Sequence, residues 1–191
     1  MSSVEEALDR ALEDHLKRIW PVRNVNSRQW KHGRNVTENP QLRVLEIRPQ
    51  EAAGGWVYAS VGAWRSNPMN VHRSEFILLS PLQSDNHVEL LTMVSTAYSD
   101  GYAVADGKVL EIGRAWLPGS ACNYILVSAP YFLESGQEGL SFKGVEVSFL
   151  WLVPITAAEA DFGRQYGGHS LFHKFAEAGT DLLQIDRRSI M

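Results

Sequence analysis

The chain has 191 residues, a formal net charge of −4, 45% hydrophobic and 21% charged residues. That is the balance of a folded domain long enough to bury a core, and six Trp with 10% aromatics exclude a disordered chain. The charge excludes a strongly basic nucleic-acid binder, and the single cysteine, Cys122, excludes an intrachain disulfide or a thiolate zinc cluster.

Ser3 and Glu6 have capping-box spacing. Val4, Leu8, Ala11, Leu12, Leu16 and Ile19 then recur at helical intervals, which predicts a helix over 3–19. Trp20 and Pro21 end it, because proline disfavours helical geometry in the residue before it. The total charge hides a segregation: residues 1–14 carry −4, residues 15–37 carry +6 and residues 38–191 carry −6. Acids in the first turns and Lys17 and Arg18 near the end match the helix dipole, so helix grammar accounts for much of the split. The opening stretch is charged rather than an apolar leader, and the longest apolar run, 149–155, is far below the roughly 20 residues of a membrane span. The expectation is a soluble, cytoplasmic protein.

Residues 22–41 are weakly patterned and predict a loop with one short strand. Leu42, Val44 and Ile47 begin a β-rich region. Strands are predicted over 56–64, after Gly54 and Gly55, and over 75–80, ended by Pro81, with a turn at Asn67, Pro68 and Asn70 between them. Asn86 and Glu89 read as the cap of a helix whose buried face carries Val88, Leu91, Val94, Tyr98 and Tyr102, with Asp100 and Gly101 ending it. Short strands follow at 109–112 and 124–128, separated by the 116–120 loop. The most apolar strand spans 145–153, with Pro154 ending it. Thr156 and Glu159 form a second capping box, Gly167 and Gly168 break that helix, and another runs from 169 to 178. The order predicts an α+β fold, a mainly antiparallel sheet packed with helices, in a single domain over 1–191.

Few constellations suggest chemistry. His169 and His173 share a helix face at i, i+4, but Ser170, Leu171 and Phe172 stand where a zinc protease helix needs its glutamate. Leu171, Phe172 and Phe175 read simply as the core face of that helix. Cys122 precedes an apolar strand and reads as a small buried hydrophobe rather than a nucleophile. A metal- or cysteine-dependent enzyme is therefore the remote alternative, and no catalytic residue, metal or cofactor is expected. The basic stretch from Arg23 to Arg34, with Trp30 and His32, reads as a solvated loop that packs one Trp, without nucleic acid. Glu75 and Glu146 sit in strands and are expected to alternate outward to water. Trp56, Trp64, Trp116 and Tyr131 lie at strand ends and loops, where a rim of aromatics fits a protein-binding surface.

The order of these features resembles the suppressor-of-fused family, in particular its bacterial single-domain members. The resemblance rests on the 56–64 segment bounded by Trp56 and Trp64, then Ser74-Glu-Phe-Ile-Leu-Leu-Ser-Pro81, then the helix opening at Val88. It continues through Trp116-Leu-Pro-Gly-Ser120, the 124–131 stretch ending in Tyr131, Val147-Ser-Phe-Leu-Trp-Leu-Val-Pro-Ile-Thr156 with Glu159, Leu171-Phe172 and Asp186. It covers about residues 42–191. It implies a sandwich fold with no catalytic centre and a protein partner. The family's two-domain animal members sequester transcription factors by gripping a short peptide. A second domain would be absent here, as the chain ends soon after Ser189, which puts a two-domain clamp in doubt. Bacterial single-domain members are linked to polymorphic toxin systems as immunity proteins. The resemblance therefore implies a non-catalytic protein that binds and neutralises a toxin, with a regulatory peptide-binding scaffold as the alternative.

Trp64, Glu75, Trp116 and Tyr131 are the residues expected to reach the partner. Were 75–80 a sheet edge, it could accept a partner strand. Its unbroken Phe76, Ile77, Leu78 and Leu79 favour a central strand buried on both faces.

Overall fold

The structure is a computed structural model and describes residues 3–21, 25–33, 35–48, 55–65, 73–100, 102 and 104–191. The expected roles of Arg23, Arg34, Gly54, Asn67, Pro68, Asn70 and Gly101 lie outside those residues, as does the side chain of Ser3. In chain order the elements are α1 (Ser3–Ile19), β1 (Val25–Arg28), α2 (Asn35–Glu38), β2 (Arg43–Ile47), β3 (Trp56–Val61) and β4 (Arg73–Ser80). There follow α3 (Asp85–Ser99), β5 (Val109–Glu111), β6 (Cys122–Ser128), β7 (Gly139–Phe142), β8 (Val145–Thr156), α4 (Ala157–Tyr166) and α5 (Gly168–Glu177).

The strands form one sheet in the order β1-β2-β3-β4-β8-β6-β5, with β7 also paired to β8. All neighbours are antiparallel except β4 and β8. The α+β expectation with a mainly antiparallel sheet therefore holds. Glu75–Ser80 is not an edge. β4 lies between β3 and β8, which makes it a central strand of the sheet.

Side-chain alternation explains how helices cover both faces. On β4, Phe76 and Leu78 point to one face with Tyr58, and pack against Val88, Leu91, Val94 and Tyr98 of α3. Ile77 points to the other face, where Leu8, Leu12 and Leu16 of α1 cover it. β8 continues that second face. Val147 and Phe149 join the α1 cluster, and Trp151, Val153 and Ile155 join Leu171 and Phe175 of α5. One face thus carries α3, and the other carries α1 at one end and α4–α5 at the other.

Four local expectations need correction. β3 stops at Val61, because Gly62 has φ +105°, a conformation that favours glycine, and a short 3-10 turn, Ala63–Arg65, follows. The cap of α3 is Ser84, whose hydroxyl accepts from the Asn86 backbone N–H, so Asn86 and Glu89 lie inside the helix. Tyr102 lies beyond the helix, exposed rather than on its buried face.

Finally, Pro154 does not end β8; it pairs with Ile125 inside the strand. Its carbonyl accepts from Arg187 Nη2 at 3.0 Å, so both its O and its N point away from β6, where the missing N–H breaks no ladder bond. Residues 187–190 fill that side. Arg187 donates to Glu159 Oε1 and Oε2 at 2.6 and 2.8 Å, and the Ile190 N–H adds a third bond at 3.2 Å. Glu159 also closes the predicted capping box with Thr156. Burial pushes its carboxyl up, but the Arg187 and Thr156 donors outweigh this and hold it below the usual carboxylate range.

Candidate protein-binding surface

Three of the four residues expected to reach a partner are in the core. Trp64 is 5%, Glu75 0% and Trp116 3% exposed, whereas Tyr131 is 57% exposed. The outward alternation expected of Glu75 fails because β4 has no outward face: both sides are covered. Its carboxylate accepts from the Ser60 hydroxyl, from Gly62 N–H at 2.7 Å and from Trp64 N–H at 3.2 Å. Burial pushes the Glu75 carboxyl up to about 7, against the pull of these donors. Glu146, by contrast, is exposed as expected.

Trp64 links this site to α1. Its indole Nε1 donates to Asp9 Oδ1 at 2.9 Å, while Arg65 and Arg43 reach Asp9 Oδ2 at 2.7 and 3.3 Å. Arg43 also bonds Glu13 at 3.2 Å. The buried aromatic and carboxylate therefore hold α1 on the sheet. Trp116 serves the opposite face. Its Nε1 donates to Ser120 Oγ at 2.9 Å, and its ring lies 5.6 Å from that of His87. His87 is fully buried beside Tyr58, and burial takes its imidazole down to about 4, so the ring is neutral.

Two of the four exposed aromatics among the described residues, Tyr131 and Phe132, lie together, whereas Tyr102 and Tyr166 lie elsewhere. β7 and β6 both lie on the side of β8 opposite β4: Ser148 pairs with Ser74 and Gly139, and Trp151 with Ile77 and Ser128. The connection between them, residues 129–138, must leave the sheet and return to the same side. It does so over the seam between α1 and α5. His15 of α1 meets it at Gln137 O, 3.1 Å away. A chain of ring contacts crosses the seam: Trp20 to Phe132 at 6.4 Å, Phe132 to Trp151 at 5.0 Å, Trp151 to Phe172 at 5.8 Å and Phe172 to Tyr131 at 4.8 Å.

Tyr131 and Phe132 are exposed, and Trp20 and Phe172 are half-buried. Trp151 is buried, and its Nε1 has no hydrogen-bond partner among the described residues. Exposed rings around a desolvated indole donor are the composition of an interface core. The seam was invisible as a set because its members come from four separate segments. Tyr131 signalled itself by its place in a loop, but Phe172 read only as core.

The remaining chemical candidates lie elsewhere. Cys122 is buried, and burial pushes its thiol up, so it is poorly nucleophilic. His169 is exposed and stands 3.6 Å from Asp106 Oδ2. Among the described residues no group of three His, Cys, Asp or Glu is placed to hold a metal. Trp30 packs against the core beside α3, as expected of the basic loop. No described helix is long and apolar enough to cross a membrane.

The fold and this surface define a sheet covered by helices on both faces, with an aromatic seam as its distinctive exposed feature. The family model for suppressor of fused protein matches residues 38–188. The crystal structure of a suppressor-of-fused homolog from Neisseria gonorrhoeae FA 1090 is 30% identical, with 97% of this chain and 98% of that one covered at a TM-score of 0.84. The chain belongs to the suppressor-of-fused family.

Two more distant structures share the fold. The Sufu–Fu complex matches at 13% identity and TM-score 0.69, covering 94% of this chain and 90% of that one. Drosophila Suppressor of Fused matches at 15% and 0.65, covering 92% of this chain and 49% of that one. No curated protein matches the chain.

Proposed function

We propose that this chain is a non-catalytic protein-binding domain that acts as a cytoplasmic immunity protein, binding a toxin domain and covering its active site. The observation that carries the binding role is the aromatic seam, with Tyr131 and Phe132 exposed around Trp151. Family membership supports it, since a related chain was crystallised in a complex with Fu. The −6 carried by residues 38–191 favours a basic partner, because complementary charge speeds encounter.

The test has two stages. A toxin gene is sought beside this one, and its product is co-expressed with this chain in a sensitive host. Rescue of growth, lost in Tyr131→Ala with Phe172→Ala, supports the reading. The absence of any neighbouring toxin, with none captured by the purified chain, refutes the immunity role. Affinity for a short linear segment in place of a folded domain would move the assignment to a regulatory scaffold.

A further inference from the structure

A second site lies at the far end of α1, away from the seam. A cavity of about 180 Å³ opens between the first turns of α1, the 3-10 turn and the start of β4, floored by Leu8 and Val145. Two guanidinium groups face it, and both stack on the Trp64 indole: Arg65 at 4.8 Å and Arg73 at 5.2 Å from the ring centroid. They are compensated unequally. Arg65 donates to Asp9 Oδ2 and to the Glu5 carbonyl at 3.2 Å, but shares Asp9 with Arg43. Its Nε and Nη1 are buried and without an acceptor among the described residues. Arg73 is half-buried and makes no ion pair or side-chain hydrogen bond among the described residues.

Two like charges converging on one ring in a partly desolvated pocket repel, and a shared anion removes that cost. A guanidinium presents its N–H groups as a planar fork that matches the oxygens of a carboxylate or phosphate. The stacking on Trp64 holds both groups in place and leaves the N–H edge of Arg73 unused, while Arg65 Nη2 is committed to Asp9 and the Glu5 carbonyl. Among the described residues of the lining, the one acidic side chain is Glu5.

We propose that this pocket binds a small oxyanion, a phosphate or carboxylate, between Arg65 and Arg73. Glu5 opposes it and sets its affinity. Because the pocket does not include the aromatic seam, the proposal stands or falls independently of the toxin reading.

The test is a titration of the whole chain with inorganic phosphate, and separately with acetate, at constant ionic strength in chloride. The indole N–H resonance of Trp64 is followed by NMR. A saturable shift is expected, with one anion preferred and with resonances of the distant Trp116 and Trp151 unmoved. Loss of a charge-assisted hydrogen bond predicts binding about tenfold weaker in Arg73→Gln. Arg73→Lys, which keeps the charge and loses the fork, falls between the two. Glu5→Gln tightens binding, and this arm remains decisive if Arg73→Gln does not fold. A linear response, or saturation unchanged in both Arg73→Gln and Glu5→Gln, overturns the proposal.

Discussion

Replacing Glu75 by Gln is expected to stabilise the protein at alkaline pH. A native carboxyl that titrates near 7, against 4.5 in the unfolded chain, binds its proton more tightly when folded. Its contribution is therefore fully present below about pH 4.5 and is lost as pH rises through about 7. At 1.36 kcal/mol per unit, the ionised native carboxyl at pH 8 costs about 3 kcal/mol, falling below about 1 kcal/mol at pH 5. Gln removes the titration and can keep the contacts. Its amide oxygen accepts from the Gly62 and Trp64 N–H groups, and its NH₂ turns to Ser60 Oγ, which also accepts from Phe76 N–H.

The Ser60 hydroxyl proton then loses its acceptor, so a net gain of about 1–3 kcal/mol is expected at pH 8. Urea unfolding of both proteins at pH 5 and pH 8 reads it as a midpoint gap that opens with pH. If Gln is less stable than wild type at pH 8, or if the gap does not change with pH, the three donors outweigh burial. The reasoning is then refuted.

Arg187→Ala leaves the buried Glu159 carboxylate without its cation and is expected to cost about 3–5 kcal/mol, read by denaturant unfolding at neutral pH. Because Glu159 is held below the usual carboxylate range, the loss should shrink as acid protonates it in wild type. Gly168→Ala would set a Cβ 2.5 Å from Gly107 O and 2.6 Å from Leu126 Cδ1. A loss of about 1–3 kcal/mol is expected in thermal unfolding. Tyr131→Ala should leave stability within about 0.5 kcal/mol yet weaken partner binding by about 2 kcal/mol, separable by calorimetry and a binding assay. Cys122 should react with a thiol reagent only in denaturant, since burial both shields it and keeps it protonated.

Local grammar in the sequence located most elements, because caps and apolar periods are written in neighbouring residues. The α1 bounds, the Thr156–Glu159 box and the Gly167 break are of this kind. What failed depended on partners distant in sequence. Glu75 looked like an outward residue because alternation says nothing about a second helix layer, and its acceptor role needs the Gly62 turn. Pro154 looked like a terminator because only the fold reveals that its nitrogen faces Arg187 rather than a strand. Trp64 and Trp116 looked like rim residues, yet each has an indole partner, Asp9 or Ser120, that makes burial affordable. Tyr131 was legible as exposed, whereas the rings around it were not legible as its neighbours.

The excursion of residues 129–138 has an evolutionary consequence. β6 and β7 each complete their own pairing with β8, and the stretch between them meets the backbone of the sheet at its end, where the Glu138 carbonyl accepts from Phe149 N–H at 2.8 Å. Phe132 and Leu133 pack it onto the sheet, and His15 and Asp106 bond it at Gln137 O and Ala129 N–H. In the binding role proposed above, insertions or exchanges between those anchors would reshape the binding surface while the ladders go on supplying stability. In that role, mutation would explore new partners there without first having to find compensating changes in the framework.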